Sequence, residues 1–214
     1  MHSYPPLNLR VTTPRLELAG ATDDLLDRLA PLVREGKAMA RPAPYDDPIS
    51  LYEEDPDKRV AKWLRGIWRG RGKVDADFWR LYLVVLVDGA PVGMQDLMGD
   101  RFASFGTVTS FSWLSADLRG RGLGREMRQA VLHLAFDGLA AKEAESDAFA
   151  DNLASNGVSR ALGYEPNGTT WDTRQGEAGE IQRWRLTREA WLPRRRGDIG
   201  IEHLDETKAT LDLP

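Results

Sequence analysis

Apolar positions along the chain switch between a spacing of about 3.6 residues and one of about 2, and the alternation of helical and strand periods predicts an α/β (α+β) protein. Leu9 to Leu18 holds the short alternation Arg15-Leu16-Glu17-Leu18 after Pro14 and reads as an opening strand. Thr22, followed by Asp23 and Asp24, supplies a capping oxygen and two carboxylates where a helix N-terminus favours them. The helix that starts there carries Leu25, Leu26, Leu29, Leu32 and Val33 on one side, has Pro31 inside it, and ends at Gly36. A proline-rich loop is expected over residues 40–48, and Asp55-Pro56 then starts a second helix. Val60, Trp63, Leu64, Ile67 and Trp68 form its apolar stripe, which reads as a core-packing face.

The period then changes. Phe78 to Val87 is nearly continuous in aromatic and β-branched residues, Asp88-Gly89 is a two-residue turn signal, and Val92 to Leu97 returns, so a buried hairpin is expected. Thr107 to Leu114 is a further strand. After it come a long helix, a strand near Ala144 to Ala150, and a short helix from about Ser155 to Leu162 closed by Gly163. Two strands follow near Thr169 to Thr173 and Ile181 to Leu186. The long helix turns Met127, Val131, Leu134, Ala135 and Leu139 inward, which leaves Glu126, Gln129, His133 and Asp137 for the surface. The expected organisation is one domain over residues 1–193 and a polar tail over 194–214 that contributes a dimer contact, making the protein a homodimer.

Composition narrows the function classes. The 33 acidic and 29 basic side chains leave a net charge of -4, which argues against nucleic-acid binding. With no cysteine there is no disulfide, thiolate metal site or cysteine nucleophile, and a reducing, cytoplasmic setting is expected. No metal is expected. Neither an export signal nor an apolar run long enough to span a membrane is visible.

The chemistry concentrates between the Thr107–Leu114 strand and the long helix, in Leu118-Arg119-Gly120-Arg121-Gly122-Leu123-Gly124-Arg125. Glycines allow close backbone approach to a ligand, and the first helical turn offers unpaired N–H groups with the positive end of the dipole behind them. That combination suits a pyrophosphate, to which Arg119, Arg121 and Arg125 can add charge-assisted hydrogen bonds. A dinucleotide-binding turn would come after an early strand, whereas this one lies past the midpoint. A nucleotide P-loop needs Lys and Ser or Thr after the last glycine, but Gly124 is followed by Arg125 and Glu126.

Arg119-x-x-Gly122-x-Gly124, between a strand and a helix, resembles the signature of the GNAT acyltransferases. Asp151-Asn152-Leu153-Ala154-Ser155 with Leu162-Gly163-Tyr164 resembles that superfamily's second motif. The opening Thr12-Thr13-Pro14-Arg15-Leu16 is similar to the ribosomal-protein N-acetyltransferase (RimJ/RimL-like) branch, and three further segments are similar to mycobacterial GNAT succinyltransferases: Leu86 to Gly89, Gly124 to Arg128, and Arg185 to Arg188.

The resemblance implies a mixed, mostly antiparallel sheet of about seven strands flanked by about four helices, with two strands splayed around coenzyme A. It implies acetyl-CoA or another acyl-CoA as cosubstrate, and a primary amine as acceptor: a small molecule, a protein N-terminus or a lysine. Ser112, Trp113 and Leu114 would line the pantetheine arm. Gly120, Gly122, Leu123 and Gly124, with Arg119, Arg121 and Arg125, would hold the pyrophosphate, and Asn152 and Ser155 would contact the pantetheine or thioester region. Gln95 and Trp113 would flank the acceptor. Ser159 stands where many members have a tyrosine that protonates the leaving thiolate, and the competing role for it is a bond back to the preceding helical turn. Glu145 and Asp147, on one face of a strand, are candidate bases, weighed against a solvated strand edge. Succinyl-CoA as donor, and a CoA-binding module without turnover, are the alternatives.

Overall fold

The structure, a computed structural model, describes residues 1–43, 52–75, 77–174 and 176–213. From residue 44 on, the proline-rich loop expected at 40–48 lies outside the described residues. The strands are β1 Arg10–Thr12, β2 Glu17–Gly20, β3 Phe78–Val87, β4 Ala90–Asp100, β5 Thr107–Leu114, β6 Glu143–Phe149, β7 Glu165–Arg174, β8 Glu177–Thr187 and β9 Gly200–Glu202. They form one sheet in the order β7-β8-β6-β5-β4-β3-β2-β1-β9. Among the described residues only the β5–β6 pair is parallel.

The helices are α1 Asp23–Arg34, α2 Pro56–Arg71, α3 Phe102–Phe105, α4 Leu123–His133, α5 Leu153–Ala161, α6 Arg188–Trp191 and α7 Leu204–Thr210. Thr22 caps α1 by accepting from the Leu25 N–H, and the Asp55 carboxylate accepts from the Asp57 and Lys58 N–H groups at the start of α2. Asp88 and Gly89 both take positive φ, 50° and 73°, the requirement of the tight turn that joins β3 to β4.

Helices cover both faces of the sheet, which explains the continuous apolar run of β3. Leu81, Leu83 and Val85 face the core under α4, while Tyr82, Val84 and Leu86 face the core under α1 and α2. Trp63 and Ile67 of α2 are fully buried in that second core, each contributing on the order of 2–3 kcal/mol. Trp68, assigned to the same apolar stripe, is half-exposed, and its indole N–H donates to Asp23.

Four expectations need correction. The opening strand is two, β1 and β2, paired antiparallel with Val11 opposite Leu18, because Thr13 and Pro14 turn the chain between them. Among the described residues the sheet therefore has nine strands where about seven were expected. His133 and Glu126 are buried, not on the surface: α4 is covered on that side by the β1–β2 turn and by the segment after β8. The segment expected as a polar tail carries β9, which pairs with β1 (Val11 opposite Ile201), and α7, whose Thr207 and the following Leu211 are buried. Apolar residues at 199, 201, 204 and 211 are too sparse to register as a period, yet each meets the main core.

Candidate active site

β5 and β6 run side by side only where Thr107, Val108 and Thr109 pair with Glu143, Ala144 and Glu145. Beyond these three pairs β5 continues against β4 as far as Leu114, and β6 continues against β8 as far as Phe149. The two strands part and leave a wedge inside the sheet. Along the wedge, from Ser110 to Leu114, the β5 edge has no strand partner among the described residues, so main-chain groups there that no side chain engages are available to an extended ligand. Specific contacts hold both sides. The Asn156 amide donates to the Phe149 carbonyl and accepts from Trp184 Nε1, tying the end of β6 to α5 and β8. On the other side Gln95 donates to the Phe111 carbonyl at 2.9 Å, and a Cβ at Gly93 would lie 2.3 Å from the Trp113 carbonyl oxygen, so only glycine lets β4 approach β5 this closely.

The wedge opens toward the glycine turn. Gly120 and Gly122 take φ of 75° and 79°, a region that disfavours other residues, and Gly122 is the N-cap of α4. No side chain caps this helix, so the N–H groups of its first turn are left for a ligand. A Cβ at Gly120 or Gly124 would meet nothing within 4 Å. The turn is fastened from behind: Glu126 accepts from the Thr13 hydroxyl at 2.7 Å and from the Arg15 main chain and guanidinium, and Arg15 also donates to the Arg121 carbonyl. Burial pushes the Glu126 carboxyl up, but the hydrogen bonds from Thr13 and Arg15 outweigh it and hold the group below its ordinary range.

The three arginines of the turn differ. Arg119 spends its guanidinium on the carbonyls of Leu114, Lys37 and Ala38, so it fixes the end of β5 rather than pointing at a phosphate. Arg121 is exposed, and Arg125 donates to the Ala161 carbonyl. Across the wedge Asn152 caps α5, its oxygen accepting from the Ser155 N–H, which leaves the side-chain amide N–H groups as donors. Ser159 is fully buried and its hydroxyl has no partner among the described residues, so the bond back to the preceding turn is not made.

The far side of the wedge is the sheet face that α1 and α2 cover only in part. Glu145 and Asp147 point there, opposite Arg185 and Arg183 of β8 in register. Burial raises the Glu145 carboxyl, with Arg183, 3.8 Å away, opposing and Asp147 and Glu143 adding to the rise. Asp147 keeps solvent contact, yet burial raises its carboxyl too, again with Arg183 opposing. Phe111 is exposed beside them, with the Arg80 guanidinium 5.0 Å from its ring centre and paired to Asp96 at 2.7 Å. Sequence reasoning missed Arg80 and Asp96, which come together only through the β3–β4 register.

Ser112 lies on the free edge of β5 and Leu114 is buried at its end, while Trp113 packs toward the core of α1 and α2. Gln95 is fully buried, its amide N–H groups given to the Phe111 and Asp96 carbonyls, and the structure does not bring it to the open face. Among the described residues no cluster of three or more His, Asp or Glu could hold a metal, and no helix is long and apolar enough to cross a membrane.

Residues 15–165 match the family model described as acetyltransferase (GNAT) domain. Solved structures share the fold. A RimL alpha-N-protein acetyltransferase in complex with coenzyme A superposes with a TM-score of 0.65 at 17% identity, over 82% of this chain and 95% of that one. A Salmonella typhimurium acetyl transferase that modifies the N-terminal serine of a 50S ribosomal subunit protein gives 0.64 at 17% identity, over 82% and 96%. A microcin self-immunity acetyltransferase in complex with acetyl-CoA and AMP gives 0.61 at 14%, over 81% and 93%.

Proposed function

Because the chain belongs to the GNAT acetyltransferase family, we propose that it transfers an acetyl group from acetyl-CoA to a primary amine by direct attack in a ternary complex. One observation carries this reading: the β5–β6 wedge opens onto an uncapped helix N-terminus at a turn of positive-φ glycines. The pantetheine arm would add to the free edge of β5 near Ser112, as a strand would, while the N–H groups of Leu123, Gly124 and Arg125 hold the pyrophosphate. The Asn152 amide would donate to the arm from the opposite side.

The acceptor amine would arrive from the opposite face, beside Phe111, Glu145 and Asp147. It attacks only when neutral, and an α-amino group, with a pKa near 8, is neutral far more often at pH 7 than a lysine near 10.4. A carboxylate of raised pKa suits the proton-accepting role, directly or through a water. Main-chain N–H donors on β5 stabilise the oxyanion as the N–C bond forms. When the C–S bond breaks, the thiolate takes a proton from a water ordered by the Ser159 hydroxyl, or through that hydroxyl with a water restoring its proton, and the hydroxyl has no competing partner among the described residues.

A second reading, a donor whose acyl group ends in a carboxylate such as succinyl-CoA, has one observation in its favour. Arg128 is buried with its guanidinium on Ser146, the residue just past the last β5–β6 pair, and no carboxylate pairs with it among the described residues. A buried cation of this kind favours an anionic partner.

Thiol release from acetyl-CoA and succinyl-CoA against a panel of amines tests both readings. Turnover with acetyl-CoA, and loss of CoA binding in Gly122→Asp, are expected, since a side chain at φ 79° strains the turn and the carboxylate adds negative charge where the pyrophosphate is proposed to bind. Preference for succinyl-CoA selects the second reading, and CoA binding without release from any donor overturns the enzyme.

A further inference from the structure

The sheet ends differently at its two edges. On one side β9 is three residues long and closes over β1, whereas on the other β7 runs for ten residues and has no neighbour beyond β8 among the described residues. Pro166 and the register shift between Pro166 and Thr169 blunt only the start of that strand. From Thr169 to Thr173 every residue is exposed, and Trp171 keeps 70% of its surface in water, more than any other tryptophan of the chain.

Main-chain direction decides what this edge can do. The Glu180 carbonyl accepts from the Ala150 N–H, on the β6 side, so Glu180 turns its main-chain groups away from β7. Trp171 stands opposite Glu180 in register and therefore turns its own N–H and carbonyl outward, to the open edge. Two residues to either side, Thr169 and Thr173 do the same. The Thr173 N–H has taken a substitute acceptor, the carboxylate of its neighbour Asp172 at 2.7 Å. Three outward-facing residues in a regular stretch are a template for one more strand.

The side chains say which strand. When two copies of one strand pair antiparallel about a two-fold axis, their outward-facing residues must face one another. An axis at Asp172 sets two carboxylates directly opposite and is disfavoured. An axis at Trp171 sets Trp171 against Trp171, Thr169 against Thr173 and Thr170 against Asp172, so aromatic meets aromatic, hydroxyl meets hydroxyl or carboxylate, and no like charges are opposed. No other axis matches the three outward residues among themselves, and two hydrogen bonds per facing pair give about six in all.

We infer that β7 is a self-association edge: two copies of this chain pair through it, antiparallel about a two-fold axis at Trp171, and join two nine-stranded sheets into one. The wedge between β5 and β6 lies inside each sheet and stays open, so this inference stands apart from the acyl-CoA reading. It sets the dimer contact at the sheet edge opposite β9, not in residues 194–214. The pairing is small as interfaces go, and dissociation in the micromolar range is expected.

Sedimentation velocity of the full chain, from low to high micromolar concentration, should show monomer passing to dimer. Trp171→Lys, which opposes two ammonium groups, and Thr173→Pro, which deletes an outward N–H that β8 does not use, should each weaken the dimer at least about tenfold. Their melting temperatures in dilute solution should match the parent. The chain has no cysteine, so cross-linking reads the register. Trp171→Cys should form an intermolecular disulfide on mild oxidation, since the Cα atoms of a hydrogen-bonded facing pair lie about 5.5 Å apart, whereas Asp172→Cys, which faces Thr170, should not. A chain that is monomeric at every concentration overturns the inference, and so does a dimer that both Trp171→Lys and Thr173→Pro leave intact. Equal cross-linking of the two cysteine variants overturns the axis at Trp171.

Discussion

Glu126 and Glu145 show how neighbours divide carboxylates into two kinds. Glu126 is 4% exposed and saturated with donors from Thr13 and Arg15, so its charge supports the fold. A carboxyl held below its ordinary range stabilises fully above that range and loses its contribution as pH falls from there through its lowered folded-state value. Glu126→Gln should therefore cost about 1–2 kcal/mol at neutral pH, reduced by the half-exposure of Arg15, and the gap to the parent should narrow below roughly pH 4, as thermal melts across pH would record. Glu145 has the opposite sign. Burial raises it, so its ionised form costs stability at neutral pH. If Glu145 is the base, kcat/KM falls with acid at a pH above the ordinary carboxylate range of about 4.3. Glu145→Gln should then lose about 10²-fold in rate and that acid limb, without losing thermal stability. An unchanged pH profile would take Glu145 out of the chemistry. The sequence offered Glu145 as a candidate base and left Glu126 to the surface; it could not show what Glu126 binds, because its partners lie more than a hundred residues away in the chain.

Among the elements, β4 decides the shape of the wedge. At Gly93, β4 lies too close to β5 for a Cβ, and no positive φ accounts for the glycine. Gly93→Val must move β5, at a cost of about 1–3 kcal/mol, and the movement falls on the edge proposed to carry pantetheine. CoA affinity in calorimetry should drop together with the melting temperature, whereas unchanged affinity would show that the β5 edge does not bind the arm. Helix caps, the Asp88-Gly89 turn and the period-2 runs made most elements legible, since each rests on contacts a few residues apart. The β1–β2 hairpin was read as one strand because both halves alternate and the turn between them is short. The wedge itself has no local signal: it arises because β5 and β6 each have a better partner on the side away from the other.

For the whole molecule, the C-terminal segment matters most. β9 covers the outer edge of β1, and Ile201, Leu204 and Leu211 add to the main core, so residues beyond 195 are a structural part of the domain. A chain ending at Arg195 should lose about 3 kcal/mol, or roughly 6–12 °C in melting temperature, and should aggregate more readily through the bared β1 edge. A melt matching the full chain would show that β9 and α7 contribute nothing to stability.

What the sequence determined by itself was most of what depends on neighbours along the chain: the longer helices and strands, the caps, the glycine turn before α4, and from these the α/β class and the resemblance that family membership bears out. What only the tertiary structure decided was the use of side chains: Arg119 spent on main-chain carbonyls, Glu126 bound to Arg15, Arg80 set on Asp96, and Arg194 laid on Gly163. The physical reason is range. Dihedral preferences and periodicity act over a few residues and can be read in order, whereas a long polar side chain takes whichever partner the packed sheet and helices bring within about 3 Å.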